Sequence, residues 1–146
     1  MNEFCDHFLD SRCRCCLLFV VCASCSNQTA RSKLIGFWQS PDAKKGASIE
    51  FTPEGTVVLG GDTDALLDWK AMTIFRDFNL KPPSMKYAVI AKDRIEIQGD
   101  FTALLQKGVN VEDPRPKEAL TFAISGDELT LSSAKNGKTI SFHRSN

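Results

Sequence analysis

Ser48-Ile49-Glu50-Phe51-Thr52-Pro53-Glu54-Gly55-Thr56-Val57-Val58-Leu59 has the pattern of a β-hairpin. Polar and apolar residues alternate through 48–52, Pro-Glu-Gly supplies a turn, and an apolar run returns. A period of two puts Ile49 and Phe51 on one face of the first strand and Val57 and Leu59 on one face of the second. The same arrangement recurs down the chain. Residues 87–91 and 94–98 flank Lys92-Asp93, and residues 118–124 and 128–131 flank Ser125-Gly126-Asp127. Ala134-Lys135-Asn136-Gly137 then leads into 138–144, with Asn-Gly as a strong short hairpin signal. With residues 33–39 there are eight strands joined mostly by hairpins. A meander of that length removes its exposed edges by closing on itself. The expected fold is therefore all-β, mainly a small antiparallel up-and-down β-barrel of about eight strands with one short helix. The alternation aims Ile49, Phe51, Val57, Leu59, Ile95, Ile97, Leu120, Phe122, Ile124, Leu129, Leu131, Ile140 and Phe142 inward.

Two stretches depart from the hairpin rhythm. In 64–78, Leu67, Ala71, Ile74, Phe75 and Phe78 fall on one helical face, with Asp64 placed to cap the start. A helix is favoured there, although Thr73-Ile74-Phe75 also suits a strand, and Pro82-Pro83 ends either one. Residues 100–117 hold Gly108, Pro114 and Pro116 and one apolar turn around Leu104-Leu105. Connections of that length without structure of their own are uncommon unless they serve a purpose.

The barrel pattern begins at Leu34-Ile35-Gly36-Phe37-Trp38, and the chain's last strand ends in Phe142-His143-Arg144. Gly36-Phe37-Trp38 resembles the G-x-W that opens lipocalins and related calycin barrels. In that family a basic residue near the final strand lies across the tryptophan. The resemblance thus implies that Gly36, Trp38 and Arg144 close one barrel end, a structural role. An arginine over an indole contributes roughly 0.5–2 kcal/mol. The run L-x-G-x-W, I-E-F-T-x-x-G-T and G-D-x-L-T-L is similar to the small lipocalin-like domains of bacterial lipoproteins.

The beginning of the chain carries an address. Cys16-Leu17-Leu18-Phe19-Val20-Val21-Cys22-Ala23-Ser24 is uncharged, Arg12 and Arg14 precede it, and Cys25 opens a polar stretch through Ser32. A basic flank, a short apolar core and small residues at its end describe an export signal. Nine residues span about 14 Å as a helix, against about 30 Å of hydrocarbon, so a stable transmembrane anchor is not expected. Cys25 resembles the lipobox cysteine of bacterial lipoproteins, although Cys22 stands where that family usually has Leu or Val. By that resemblance residues 1–24 are a signal peptide, 25–32 a lipidated cysteine and polar tether, and 33–146 the barrel. Several acyl chains on Cys25 would anchor stably, since each buried CH2 contributes about 0.8 kcal/mol. Ser26 is not the Asp that retains such proteins at the inner membrane, which points to the outer membrane and its periplasmic face.

All six cysteines, Cys5, Cys13, Cys15, Cys16, Cys22 and Cys25, lie in this leader, so the body of the chain has no disulfide of its own. Cys22-Ala23-Ser24-Cys25 and Cys13-Arg14-Cys15 have metal-ligand spacing. Their setting in Leu-Leu-Phe-Val-Val, however, lacks the polar turns a structural zinc site uses. No metal or cofactor is expected.

Two of the 18 basic and three of the 18 acidic residues precede Ser26, leaving 16 against 15. Without a basic stripe the body is a poor match for nucleic acid. Catalytic patterns are equally sparse. His143 has the parity of an outward residue, no G-x-S-x-G elbow exists, and Glu50, Glu96 and Glu128 alternate with inward residues. The expected role is non-catalytic binding at the cell envelope, of a small apolar ligand or of an envelope protein. The alternative is a scaffold or inhibitor of an envelope enzyme, secreted or periplasmic, without the lipid anchor. A barrel of eight strands either fills with side chains or holds one small ligand. If a cavity exists, Phe51, Tyr87, Phe122 and Phe142 are its expected lining, with Tyr87 either its polar handle or a core tyrosine whose hydroxyl meets water.

Overall fold

The eight strands expected from the hairpin signals form, and each pairs antiparallel with the next. They are β1 (Gly36–Gln39), β2 (Ser48–Phe51), β3 (Thr56–Gly60), β4 (Met85–Ala91), β5 (Arg94–Gln98), β6 (Lys117–Ser125), β7 (Glu128–Ser133) and β8 (Thr139–Arg144). β8 returns to β1, with Trp38 opposite Arg144 and Gln39 opposite His143, so the sheet is a closed barrel in simple sequence order. The computed structural model describes residues 27–41, 46–77, 83 and 85–145. Cys25, the export segment before it and Phe78 lie outside the described residues.

Register and parity agree across the barrel. Ile49 lies opposite Trp38 and Leu59, Phe51 opposite Val57, and Leu129 opposite Ile124 and Phe142. Of the thirteen side chains expected inward, all are buried except Ile124 and Ile140, which pack half-buried against the core. Glu50, Glu128 and His143 face outward as their parity requires, and half-buried Glu96 pairs with Lys117 at 3.0 Å.

The two ends of the barrel are built differently. At one end lie the tight turns at 52–55, 92–93 and 126–127, together with a helix that the sequence pattern did not suggest. Residues 27–34 are helical (α1), so the first strand begins at Gly36 rather than at residue 33. The stretch read as a polar tether is thus ordered from residue 27. Ala30 and Leu34, four residues apart and one turn of helix from each other, supply its buried face. The opposite end, the mouth, carries the connections that leave β1, β3, β5 and β7, with described residues 61–77, 99–116 and 134–138 among them.

The mouth segment 61–77 is not one continuous helix. A 3-10 helix (Gly61–Leu66) is followed by a break and then by α2 (Lys70–Asp77). Asp68 causes the break, because its φ of 23° leaves the right-handed region. The break lets Leu66, Leu67 and Trp69 all turn inward, which one straight helix would not allow, while Ala71, Met72 and Phe75 bury the inner face of α2. Thr63, fully buried, ties the 3-10 helix to the barrel, accepting a hydrogen bond from the Ser48 amide at 3.1 Å and donating to the Ser48 carbonyl at 2.9 Å. In the excursion after β5 the apolar turn is the short helix α3 (Thr102–Gln106), which buries Leu104, with Phe101 buried just before it. Asp100 accepts from the Thr102 hydroxyl at 2.6 Å and from its amide at 3.1 Å. Those two bonds hold its carboxyl below the usual range.

Candidate functional site

At the closed end the path from Leu34 to Trp38 is locked by one arginine. The Arg144 guanidinium lies 4.2 Å from the centre of the Trp38 ring. Its Nη1 donates to the Ile35 carbonyl at 3.0 Å and its Nη2 to the Lys33 carbonyl at 2.7 Å. Trp38 is fully buried, and its Nε1 donates to the Leu34 carbonyl at 2.7 Å. Carbonyls at the end of α1 that the helix leaves unpaired are thereby met by a cation and an indole. Gly36 is required for two reasons. Its φ is 133°, and a Cβ there would lie 2.8 Å from Arg144 Nη1. Arg144→Lys keeps the charge but loses the forked donor and the flat face. It is expected to cost about 2 kcal/mol, read as a shift of the denaturant midpoint. A cost below about 0.5 kcal/mol would mean that the stack is incidental.

Tyr87 belongs to this same end. Its hydroxyl donates to the Thr52 carbonyl at 3.0 Å, its ring meets Phe51 edge-on at 4.9 Å, and Arg31 lies 5.9 Å above it. Arg31 also donates to the Pro53 carbonyl at 2.6 Å. The Tyr87 hydroxyl therefore serves the 52–55 turn, and the ring completes the core beside Phe51. Phe51, Phe122 and Phe142 are all buried in that core. A small cleft of about 240 Å³ lies between Asn27, Gln28 and Arg31 of α1 and Tyr87, Ala88 and Val89 of β4.

The mouth offers more room. Trp69, Phe75 and Phe101 form an aromatic lid: Phe101 stands 5.8 Å from Trp69, nearly perpendicular to it, and 5.8 Å from Phe75. Beside the lid opens a cleft of about 440 Å³, lined by Asp68, Trp69, Val111, Pro116, Lys117 and Lys135 among others. A neighbouring cleft of about 520 Å³ shares Lys70, Ala71, Val111 and Glu112 with it. Both volumes lie within the range of small-molecule sites, and barrel mouths are one of the places where such sites occur. The Lys70–Glu112 contact at 3.4 Å is almost wholly solvated and contributes little.

One polar group beneath the mouth escaped the sequence reading. Glu118 is 5% exposed, and its Oε1 accepts a hydrogen bond from Ser133 Oγ at 2.7 Å. The signal was present, since Glu118 shares parity with Leu120, Phe122 and Ile124 on β6 and so points inward with them.

Among the described residues no three His, Cys, Asp or Glu side chains gather as a metal-binding group, and His143 stands exposed on the outer face of β8. The closed, sequential, antiparallel barrel of eight strands is consistent with a lipocalin-like fold. Comparison of the chain with protein-family models, with curated proteins and with solved structures finds no match in any of the three.

Proposed function

We propose that this chain is an exported lipoprotein, anchored in the cell envelope through acylated Cys25, whose barrel binds a small, largely apolar ligand at its mouth without transforming it. The outer membrane, on its periplasmic face, is the expected location. The cleft of about 440 Å³ beside the aromatic lid carries the binding part of this reading. The uncharged run from Cys16 to Ser24, ending in small residues before Cys25, supports the anchor. Only Ser26 separates Cys25 from residue 27, where the described part of α1 begins. Acyl chains on Cys25 would therefore hold the closed end at the bilayer and leave the mouth facing the aqueous space.

A second reading, a scaffold or inhibitor acting on an envelope protein, draws on Leu105, which is 43% exposed on α3 at the rim of the mouth. Intact mass and membrane fractionation test the anchor. The expected result is a chain beginning at Cys25 with added acyl mass, found with membranes, and a Cys25→Ser variant that loses both the mass and the membrane. An unprocessed chain with free thiols in the soluble fraction would overturn the anchor. Titration with octanol tests the mouth. A ligand binder changes its Trp69 emission, whereas a scaffold leaves it unchanged and retains a protein partner through purification.

A further inference from the structure

The cleft of about 440 Å³ opens at the start of α2. Asp68 and Trp69, the two residues before that helix, line it together with Lys70 and Ala71, the first two within it. The first amides of a helix have no partner inside it. Neither the Lys70 nor the Ala71 amide finds a carbonyl elsewhere among the described residues. The positive end of the helix dipole is also left uncompensated, because the first turn holds no acidic residue and begins with a lysine. Asp68 stands just ahead, but among the described residues its exposed carboxylate accepts no hydrogen bond.

Trp69 adds an independent donor. It is 8% exposed, and its Nε1 has no hydrogen-bond partner among the described residues. The one sealed side-chain nitrogen or oxygen without a partner among them is Glu118 Oε2, so the indole N–H is not sealed and reaches a surface. The Cζ3 corner of the ring is occupied, since a Cβ on Gly99 would lie 2.9 Å from it. Nε1 sits at the opposite corner, and the cleft is the opening that Trp69 lines. Lys135 faces it across the cleft. The Asn136 side chain donates to the Leu66 carbonyl at 3.4 Å, which holds the β7–β8 turn against the segment leading into Trp69. Lys135 is exposed and has no ion pair among the described residues, whereas Lys70 meets Glu112 and Lys117 meets Glu96. Of the acids in the cleft, Glu112 is met by Lys70 and Asp113 accepts from the Arg115 amide at 2.9 Å. An indole N–H, helix amides and an ammonium group can only donate, so the group they meet must accept. The helix start and the lysine both favour an anion.

We propose that the start of α2, Trp69 Nε1 and Lys135 form the head-group subsite of the mouth, and that the ligand is a carboxylate on an apolar body. This rests on the mouth-binding reading above and specifies its ligand. The carboxylate accepts from the indole N–H and the helix amides, and Lys135 balances its charge. The apolar body lies along Val111 and Pro116, which line the same cleft.

The test is a calorimetric titration of the full chain with octanoate, octanol, octylammonium and acetate. Octanoate is expected to bind most tightly, octylammonium more weakly than octanol, and acetate weakly because it has no apolar body to bury. Trp69→Phe keeps a ring in the lid and removes the N–H. It should weaken octanoate roughly tenfold, the effect of losing a hydrogen bond to a charged group. Two substitutions of exposed residues leave the lid untouched and guard against a disturbed Phe variant. Lys135→Gln should weaken octanoate severalfold. Asp68→Asn removes a negative charge from the cleft, keeps a side chain suited to the left-handed φ, and should tighten octanoate. Tightest binding by octylammonium, or octanoate no tighter than octanol and unchanged in all three variants, would overturn the carboxylate assignment while leaving mouth binding intact. Acetate as tight as octanoate would overturn the apolar body. Failure of every probe to bind would overturn both the subsite and the mouth-binding reading.

Discussion

Trp38→Ala should cost about 3–5 kcal/mol, the range for removing a large aromatic side chain from a closed core. Trp38 is fully buried, sits between Ile49 of β2 and Arg144 of β8, and bonds the Leu34 carbonyl. Its loss opens a cavity where the barrel is sealed, strands the Arg144 guanidinium without its ring, and frees the end of α1. Because β1 is four residues long and meets β8 through only two residue pairs, few other contacts resist the opening. A small domain is stable by about 5–15 kcal/mol, so the change uses up much of its margin. Urea unfolding should show a midpoint lower by roughly 2 M, given a slope of 1–3 kcal/mol per molar. Trp38→Phe keeps a ring for Arg144 and loses the Nε1 bond, so it should fall between wild type and the alanine variant. A loss below 1 kcal/mol for Trp38→Ala would show that the barrel closes by other means.

Phe101→Ala is the counterpart at the mouth and should fail in a different way. Phe101 is fully buried and is the common neighbour of Trp69 and Phe75, joining the segment after β5 to the one after β3. Its removal should cost about 3 kcal/mol. The damage should be local, because the strands beneath keep their ladders and only the lid loses its contacts. Trp69 emission should shift to the red and become open to acrylamide, while amides of β5 to β8 stay protected from exchange. Loss of protection throughout the barrel would show instead that the lid belongs to the same cooperative unit as the sheet. Octanol binding should weaken in step with Trp69 exposure, since the lid forms one wall of the cleft.

These two sites differ in how much of them the residue pattern conveys. Gly36, Trp38 and Arg144 were assigned to barrel closure by the resemblance of Gly36-Phe37-Trp38 and of the basic residue ending the last strand to lipocalins, with strand parity in agreement. Tyr87 was expected either as the polar handle of a cavity or as a core tyrosine, because parity says only that it points inward. It does not say that the Thr52 carbonyl lies within reach of its hydroxyl. The polar stretch before β1 read as a tether because Ala30 and Leu34 alone make a thin apolar face. Its helix is held largely from outside, by Arg31 on Pro53 and by Arg144 on the carbonyls of Lys33 and Ile35. Segment 64–78 carried a helical stripe through Leu67, Ala71 and Phe75, and those residues are buried. The same stripe gave no sign that Asp68 would leave the right-handed region so that Leu66, Leu67 and Trp69 could all face the barrel.

The amino-acid sequence by itself determined the strands, their order, and nearly every side chain that fills the barrel. It could do so because hairpin turns are local chemistry and a period of two assigns each residue to a face. Only the tertiary structure decided what lies across the two ends. Whether α1 docks, where the mouth helix breaks and which hydroxyl meets the buried Glu118 depend on groups far apart in the chain. Glu118 and Ser133 are fifteen residues apart, and Arg144 and Lys33 more than a hundred. Contacts across such separations cost chain entropy to form and are repaid only when the whole barrel closes, so no local pattern announces them.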